Sequence, residues 1–111
     1  MNIPERLKIG PYYYTLSEAV TPLILNGLEC SALINCENLE ILYVGYMDEQ
    51  KTAQSIYHEV IHGIEEGKFI DYPSMNPEEI TDRMALGVLE FIWDNEEFIA
   101  YTMSIREEDN L

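Results

Sequence analysis

The segment Tyr57-His58-Glu59-Val60-Ile61-His62-Gly63 sets two imidazoles four residues apart, with a carboxylate directly after the first. On a helix, residues i and i+4 lie one above the other on the same face. His58 and His62 can therefore offer two ring nitrogens to one tetrahedral Zn2+, and Glu59 can stand beside an open coordination position as a general base. These are the two histidines of the chain, so a further protein donor must be of another type. A structural zinc site is normally closed by four protein ligands and has no use for a carboxylate between the histidines. The pattern points instead to hydrolysis by an activated water.

Such a pair needs a helix to hold it. Ala53, Ile56, Tyr57, Val60, Ile61 and Ile64 recur at helical spacing and make one apolar face. Asp48 can cap the start, and Gly67 follows the last periodic residue as at a C′ position. The spacing predicts a helix from about 49 to 66 with His58 and His62 turned away from Val60, one face on a core and the other toward metal.

A catalytic zinc takes three protein ligands and keeps one position open. With no third histidine, the candidates are the carboxylates Glu65, Glu66, Glu78, Glu79 and Asp82. Glu65 and Glu66 share the first helix, where a third donor closes a tetrahedron poorly. Asn76-Pro77-Glu78-Glu79 announces a second helix, with Asn76 as N-cap, Pro77 at N1 and Glu79 at capping-box spacing. Ile80, Met84, Ala85, Val88, Phe91 and Ile92 carry it to about Trp93. Glu79 has that local capping role. Glu78 stands in register with Thr81, Ala85, Val88 and Ile92, read here as an inward stripe. Glu78 is therefore the expected third ligand and Glu79 the alternative. Asp82, one turn on, is expected to accept the free ring N–H of a liganding histidine.

Elsewhere, Leu7 to Thr15 reads as a strand or hairpin arm broken at Gly10-Pro11. Residues 16–29 are ambiguous, with Pro22 as an interruption and Asn26-Gly27 as a turn. Ser31 to Ile34 and Leu39 to Val44 read as a β-hairpin around Asn35-Cys36-Glu37-Asn38. Its second arm runs almost into the metal helix, where an edge strand can pair with an extended substrate. Phe98-Ile99-Ala100-Tyr101 is an apolar patch, followed by an acidic tail over about 104–111. Tyr72 and Tyr101 are candidates for stabilising an oxyanion.

The chain has 111 residues, 47% of them hydrophobic, enough for one core and one domain over 1–111. The expected class is α+β, a small antiparallel sheet against the H-E-x-x-H helix and a second, C-terminal helix. No apolar run spans a membrane, and the N-terminus lacks the pattern of a signal peptide. The expectation is a cytoplasmic protein with no membrane partner, in which Cys30 and Cys36 are reduced thiols. Six Lys and Arg against 21 Asp and Glu give a net charge of −15. That balance argues against direct nucleic-acid contact through phosphates and is compatible with a basic protein partner.

His58-Glu59-Val60-Ile61-His62-Gly63, followed by Glu78-Glu79-Ile80-Thr81-Asp82-Arg83-Met84-Ala85, resembles the gluzincin arrangement of H-E-x-x-H and a later E-x-x-x-D helix. With the Lys8-Ile9-Gly10 start and the Trp93-Asp94-Asn95 ending, the chain is similar to short zincin-like metallopeptidases of phages and mobile elements, related to the ImmA/IrrE type, over about residues 7–95. The resemblance implies a minimal zincin fold, Zn2+ as cofactor, a peptide or protein substrate, and the host cell cytoplasm if the chain is phage-encoded. The expected function is hydrolysis of a peptide bond with Glu59 as general base. The alternative is an acidic binding or inhibitor protein whose zinc site is structural or vestigial.

Overall fold

Alternation of inward apolar and outward polar residues builds the first hairpin. The computed structural model describes residues 2–109, the side chains of Glu108 and Asp109 excepted. Strand β1 (Arg6–Ile9) pairs antiparallel with β2 (Tyr12–Glu18), and Gly10 supplies the left-handed backbone (φ +58°) that the turn requires. Leu7, Ile9, Tyr14 and Leu16 point to the core while Arg6, Tyr12 and Tyr13 stay outside. Of the three adjacent tyrosines only Tyr14, the partner of Leu7, is buried.

The ambiguous stretch resolves into the end of β2 and a separate two-stranded hairpin. Strands β3 (Leu23–Leu25) and β4 (Leu28–Cys30) turn at Asn26 and Gly27, both with positive φ. The chain then enters β5 (Ala32–Asn35) and β6 (Glu40–Tyr43), which are antiparallel. Asn35 Oδ1 accepts from the Glu37 and Asn38 N–H groups at 3.0 and 2.9 Å, closing that turn. The main sheet has the order β1-β2-β6-β5. Its central pair, β2 with β6, is parallel, so the sheet is mixed and not the expected antiparallel one. Parallel neighbours need a long crossover, and the excursion through residues 19–39 provides it.

Helix α1 (Glu49–Gly67) begins where Asp48 accepts from the Gln50 N–H at 2.9 Å. Ala53, Ile56, Val60 and Ile64 are its buried face. Gly63 lets the helix settle onto the sheet, because a Cβ there would stand 2.8 Å from Ile9 Cδ1 and 3.1 Å from Ile34 Cδ1. The left-handed residue after the helix is Phe69 (φ +55°), not Gly67.

Helix α2 (Pro77–Asp94) starts with Asn76 Oδ1 accepting from the Glu79 N–H at 2.9 Å. It packs on α1 at Gly87, where a Cβ would lie 2.3 Å from Ile64 Cγ2. Gly87 and Phe91 are its buried residues. Thr81, Ala85 and Ile92 are exposed, so the stripe that begins at Glu78 faces outward rather than toward α1. Helix α3 (Glu96–Asp109) inserts Phe98, Tyr101 and Ile105 into the core at spacing i, i+3, i+7. The expected acidic tail is thus helical through most of its length; residues 110–111 lie outside the described part.

One residue ties helices to sheet. Asn95, between α2 and α3, is buried; its Oδ1 accepts from the Lys8 N–H at 2.8 Å, and its Nδ2 donates to the Lys8 and Phe91 carbonyls at 2.7 and 2.8 Å. The architecture is α+β. Among the described residues no helix is long and apolar enough to cross a membrane.

Candidate functional site

His58 and His62 project from the solvent side of α1, while Val60 between them is 1% exposed. Their Nε2 atoms converge to 3.2 Å. Two nitrogens held at zinc-ligand distance on adjacent corners of a tetrahedron are separated by roughly 3.3 Å. The pair therefore has the bite of two donors to one ion.

A carboxylate fixes one of these rings. Glu65 Oε1 accepts from His62 Nδ1 at 2.9 Å, and the Tyr72 hydroxyl donates to Glu65 Oε2. Donation from Nδ1 leaves the His62 Nε2 lone pair free to coordinate, the usual outer partner of a metal-binding histidine. The turn over residues 71–75, in which the Asp71 carbonyl accepts from Ser74 and Met75 N–H, brings Tyr72 back onto α1. The bond to Glu65 raises the Tyr72 phenol above its ordinary range, so it remains a donor.

Glu59 points the other way, toward the sheet, and is 7% exposed. Burial raises its carboxyl above the ordinary range; the His62 and His58 charges and the Ile34 N–H, which donates to it, act in the opposite direction. The Ile34 contact also defines which strand edge faces the site. Leu33 pairs with Leu42, and the Val44 N–H reaches the Ser31 carbonyl at 3.0 Å. By the two-residue alternation of an antiparallel ladder, the backbone groups of Ala32 and Ile34 then point away from β6. The edge strand beside the site is therefore β5, whereas the second hairpin arm, β6, lies inside the sheet between β2 and β5. Between β5 and α1 runs a cleft of about 350 Å³ whose lining includes Ser31, Ala32, Lys51, Ser55, His58 and Glu59. Cys30 lines the same cleft as a free thiol, pushed up by burial and then by the Glu59 charge.

The acids of α2 do not join this group. Arg83 Nη1 donates to the Lys68 and Phe69 carbonyls at 2.9 and 3.3 Å, which sets residue 83 level with the end of α1. Glu78 lies five residues further out, about 7.5 Å along the helix axis, and is exposed. Glu79 bonds Arg83 Nη2 at 3.1 Å, so its carboxylate holds the Arg83 side chain against α1. Asp82 is exposed on the outward face, and the carboxylate that reaches a histidine ring is Glu65. Among the described residues, no three His, Cys, Asp or Glu side chains are grouped to hold a metal. Tyr101 is 1% exposed within the core and not at the cleft. The donor chemistry thus fits zinc at two positions, His58 and His62, with no third among the described residues. The Glu65 contact was open to sequence reasoning, since Glu65 is i+7 from His58 and i+3 from His62; the Ile34 contact depends on long-range pairing and was not.

No protein-family model matches the chain, and no curated protein and no solved structure matches it either.

Proposed function

We propose that this chain is a small zinc-dependent hydrolase acting on peptide bonds, with His58 and His62 holding the ion and Glu59 as general base. The observation that carries the reading is the 3.2 Å convergence of the two Nε2 atoms, with the desolvated Glu59 carboxylate on the adjoining cleft that His58 also lines. His58 and His62 would hold the zinc, which when bound would supply a Lewis acid for the scissile carbonyl and a water of lowered pKa. Glu59 would take the proton of the attacking water as its oxygen adds to the carbonyl carbon, and would pass that proton to the amine released when the C–N bond breaks; burial raises its carboxyl above the ordinary range, which favours holding the proton between the two steps. Glu65 and Tyr72 hold the His62 ring in its coordinating tautomer. The outward backbone groups of Ala32 suit an extended peptide laid along β5, bound through its main chain with little sequence preference. A second reading, an acidic binding protein with a vestigial site, is favoured by one observation, the lack of a three-donor group among the described residues.

The test is zinc stoichiometry on untagged protein together with cleavage of a mixture of unstructured peptides. One zinc per chain, lost in His58→Ala and kept in Glu78→Ala, is expected. Glu59→Gln should keep zinc and lose about 10²-fold or more in rate. A zinc-loaded protein that cleaves no peptide would support the second reading, and a protein that takes up no zinc would end the first.

A further inference from the structure

The outward face of α2 changes character halfway along. Its first two turns present Glu78 and Asp82, both exposed. The next two and a half present Leu86, Leu89, Ile92 and Trp93, exposed by 53%, 43%, 48% and 72%. At 100° per residue these four side chains fall on the side opposite Gly87 and Phe91. Glu96 and Glu97 follow at the start of α3, also exposed. Among the described residues none of these four acids forms an ion pair; the Lys and Arg side chains in ion pairs, Lys8, Lys68 and Arg83, are matched to Asp94, Glu90 and Glu79, and His62 to Glu65. The result is an apolar strip about 12 Å long with unpaired negative charge at both ends. Large apolar side chains clustered on a helix already packed on its other side mark a contact surface.

The charges decide what can cover it. A second copy laid antiparallel on this face sets Glu78 and Asp82 against Glu96 and Glu97 of its mate; laid parallel, it sets like against like. Either way acid meets acid, in a chain of net charge −15. We propose that this face of α2 docks an amphipathic helical segment of another protein, one carrying Lys or Arg on both sides of a two-turn apolar stripe. This surface is independent of the zinc reading.

Trp93 is the single tryptophan, so its emission reports the contact directly. The probe is a synthetic 18-residue helix without tryptophan, its leucines at helical spacing and lysines at both ends; its twin carries glutamates in place of the lysines. The lysine peptide should shift Trp93 emission to the blue, with an affinity that falls several-fold or more between 50 and 300 mM salt, while the chain alone sediments as a monomer. Leu86→Ser with Leu89→Ser, which keeps the net charge and alters exposed positions, should weaken binding about tenfold or more. Asp82→Asn with Glu97→Gln should weaken it less and flatten the salt dependence. The proposal falls if the lysine peptide leaves Trp93 unshifted, if the glutamate twin binds equally, or if the serine variant binds as tightly as the parent, which would assign binding to bulk charge. It falls equally if the chain alone dimerises and the serine variant does not, which would make a second copy the occupant.

Discussion

Glu59 is a carboxylate set in a buried place, 7% exposed. Its burial raises the carboxyl pKa above the ordinary value, so the folded state holds that proton more tightly than the unfolded chain does. The linkage has a definite sign: the stability this group contributes is fully present below its unfolded pKa and is lost as pH rises through the folded value. In zinc-free protein, Glu59→Gln should therefore raise the melting temperature at pH 7 relative to the parent and leave the two alike at low pH. A parent and variant that melt together at both pH values would refute that sign. Around the histidines, Glu65→Gln should weaken zinc binding about 10- to 100-fold by removing the carboxylate that orients His62, with Tyr72→Phe weaker in effect; equal zinc affinity across parent and both variants, read by chelator competition, would remove Glu65 and Tyr72 from the site. The approach of the two histidine rings was legible at this scale because four-residue spacing on a helix is local geometry. The outer partner was only half legible. Glu65 was named as a possible ligand, yet its bond to the Nδ1 of His62 depends on where loop residue Tyr72 returns.

Two contacts hold the elements in register. Asn95 gives the Lys8 N–H and C=O what a neighbouring strand would give them, and it does so from the joint between α2 and α3. Asn95→Ala leaves both part-buried backbone groups without that partner, and should cost about 1–3 kcal/mol in denaturant unfolding; a loss below about 0.5 kcal/mol would show that water replaces the amide freely. Gly87 sets the second contact by letting Ile64 approach α2 at a distance no side chain would permit. The helices themselves were readable from their caps, Asp48 and Asn76, and from apolar spacing. What sequence could not supply was the rotation of α2. The periodic set includes Ala85 and Ile92 alongside Met84 and Phe91, and it wraps too far around the helix to name one inward side. A glycine settled the matter: Gly87 faces α1, and Glu78 with Asp82 consequently faces out. The parallel pairing of β2 with β6 was hidden for a similar reason, since nothing local in Glu40–Tyr43 distinguishes a parallel from an antiparallel neighbour.

For the molecule as a whole, 21 acidic residues against six basic ones mean that folding gathers like charge. Screening should relieve it. The melting temperature is expected to rise between 20 and 300 mM sodium chloride, by roughly 4–8 °C if the self-repulsion is worth about 1 kcal/mol; a flat or falling profile would show that the acids are already compensated. Composition made this property legible before any fold was known, whereas the uneven placing of the charge on α2 needed the rotation of that helix. The two margins of the sheet also differ in what they offer a visitor. At β1 the Asn95 amide occupies the backbone of Lys8, so a foreign strand finds that border partly taken. At β5 the Ala32 backbone opens onto the cleft shared with Glu59. A strand added at β5 would meet the Glu59 carboxylate and the His58 imidazole, while the amide that braces the fold already fills part of the opposite border.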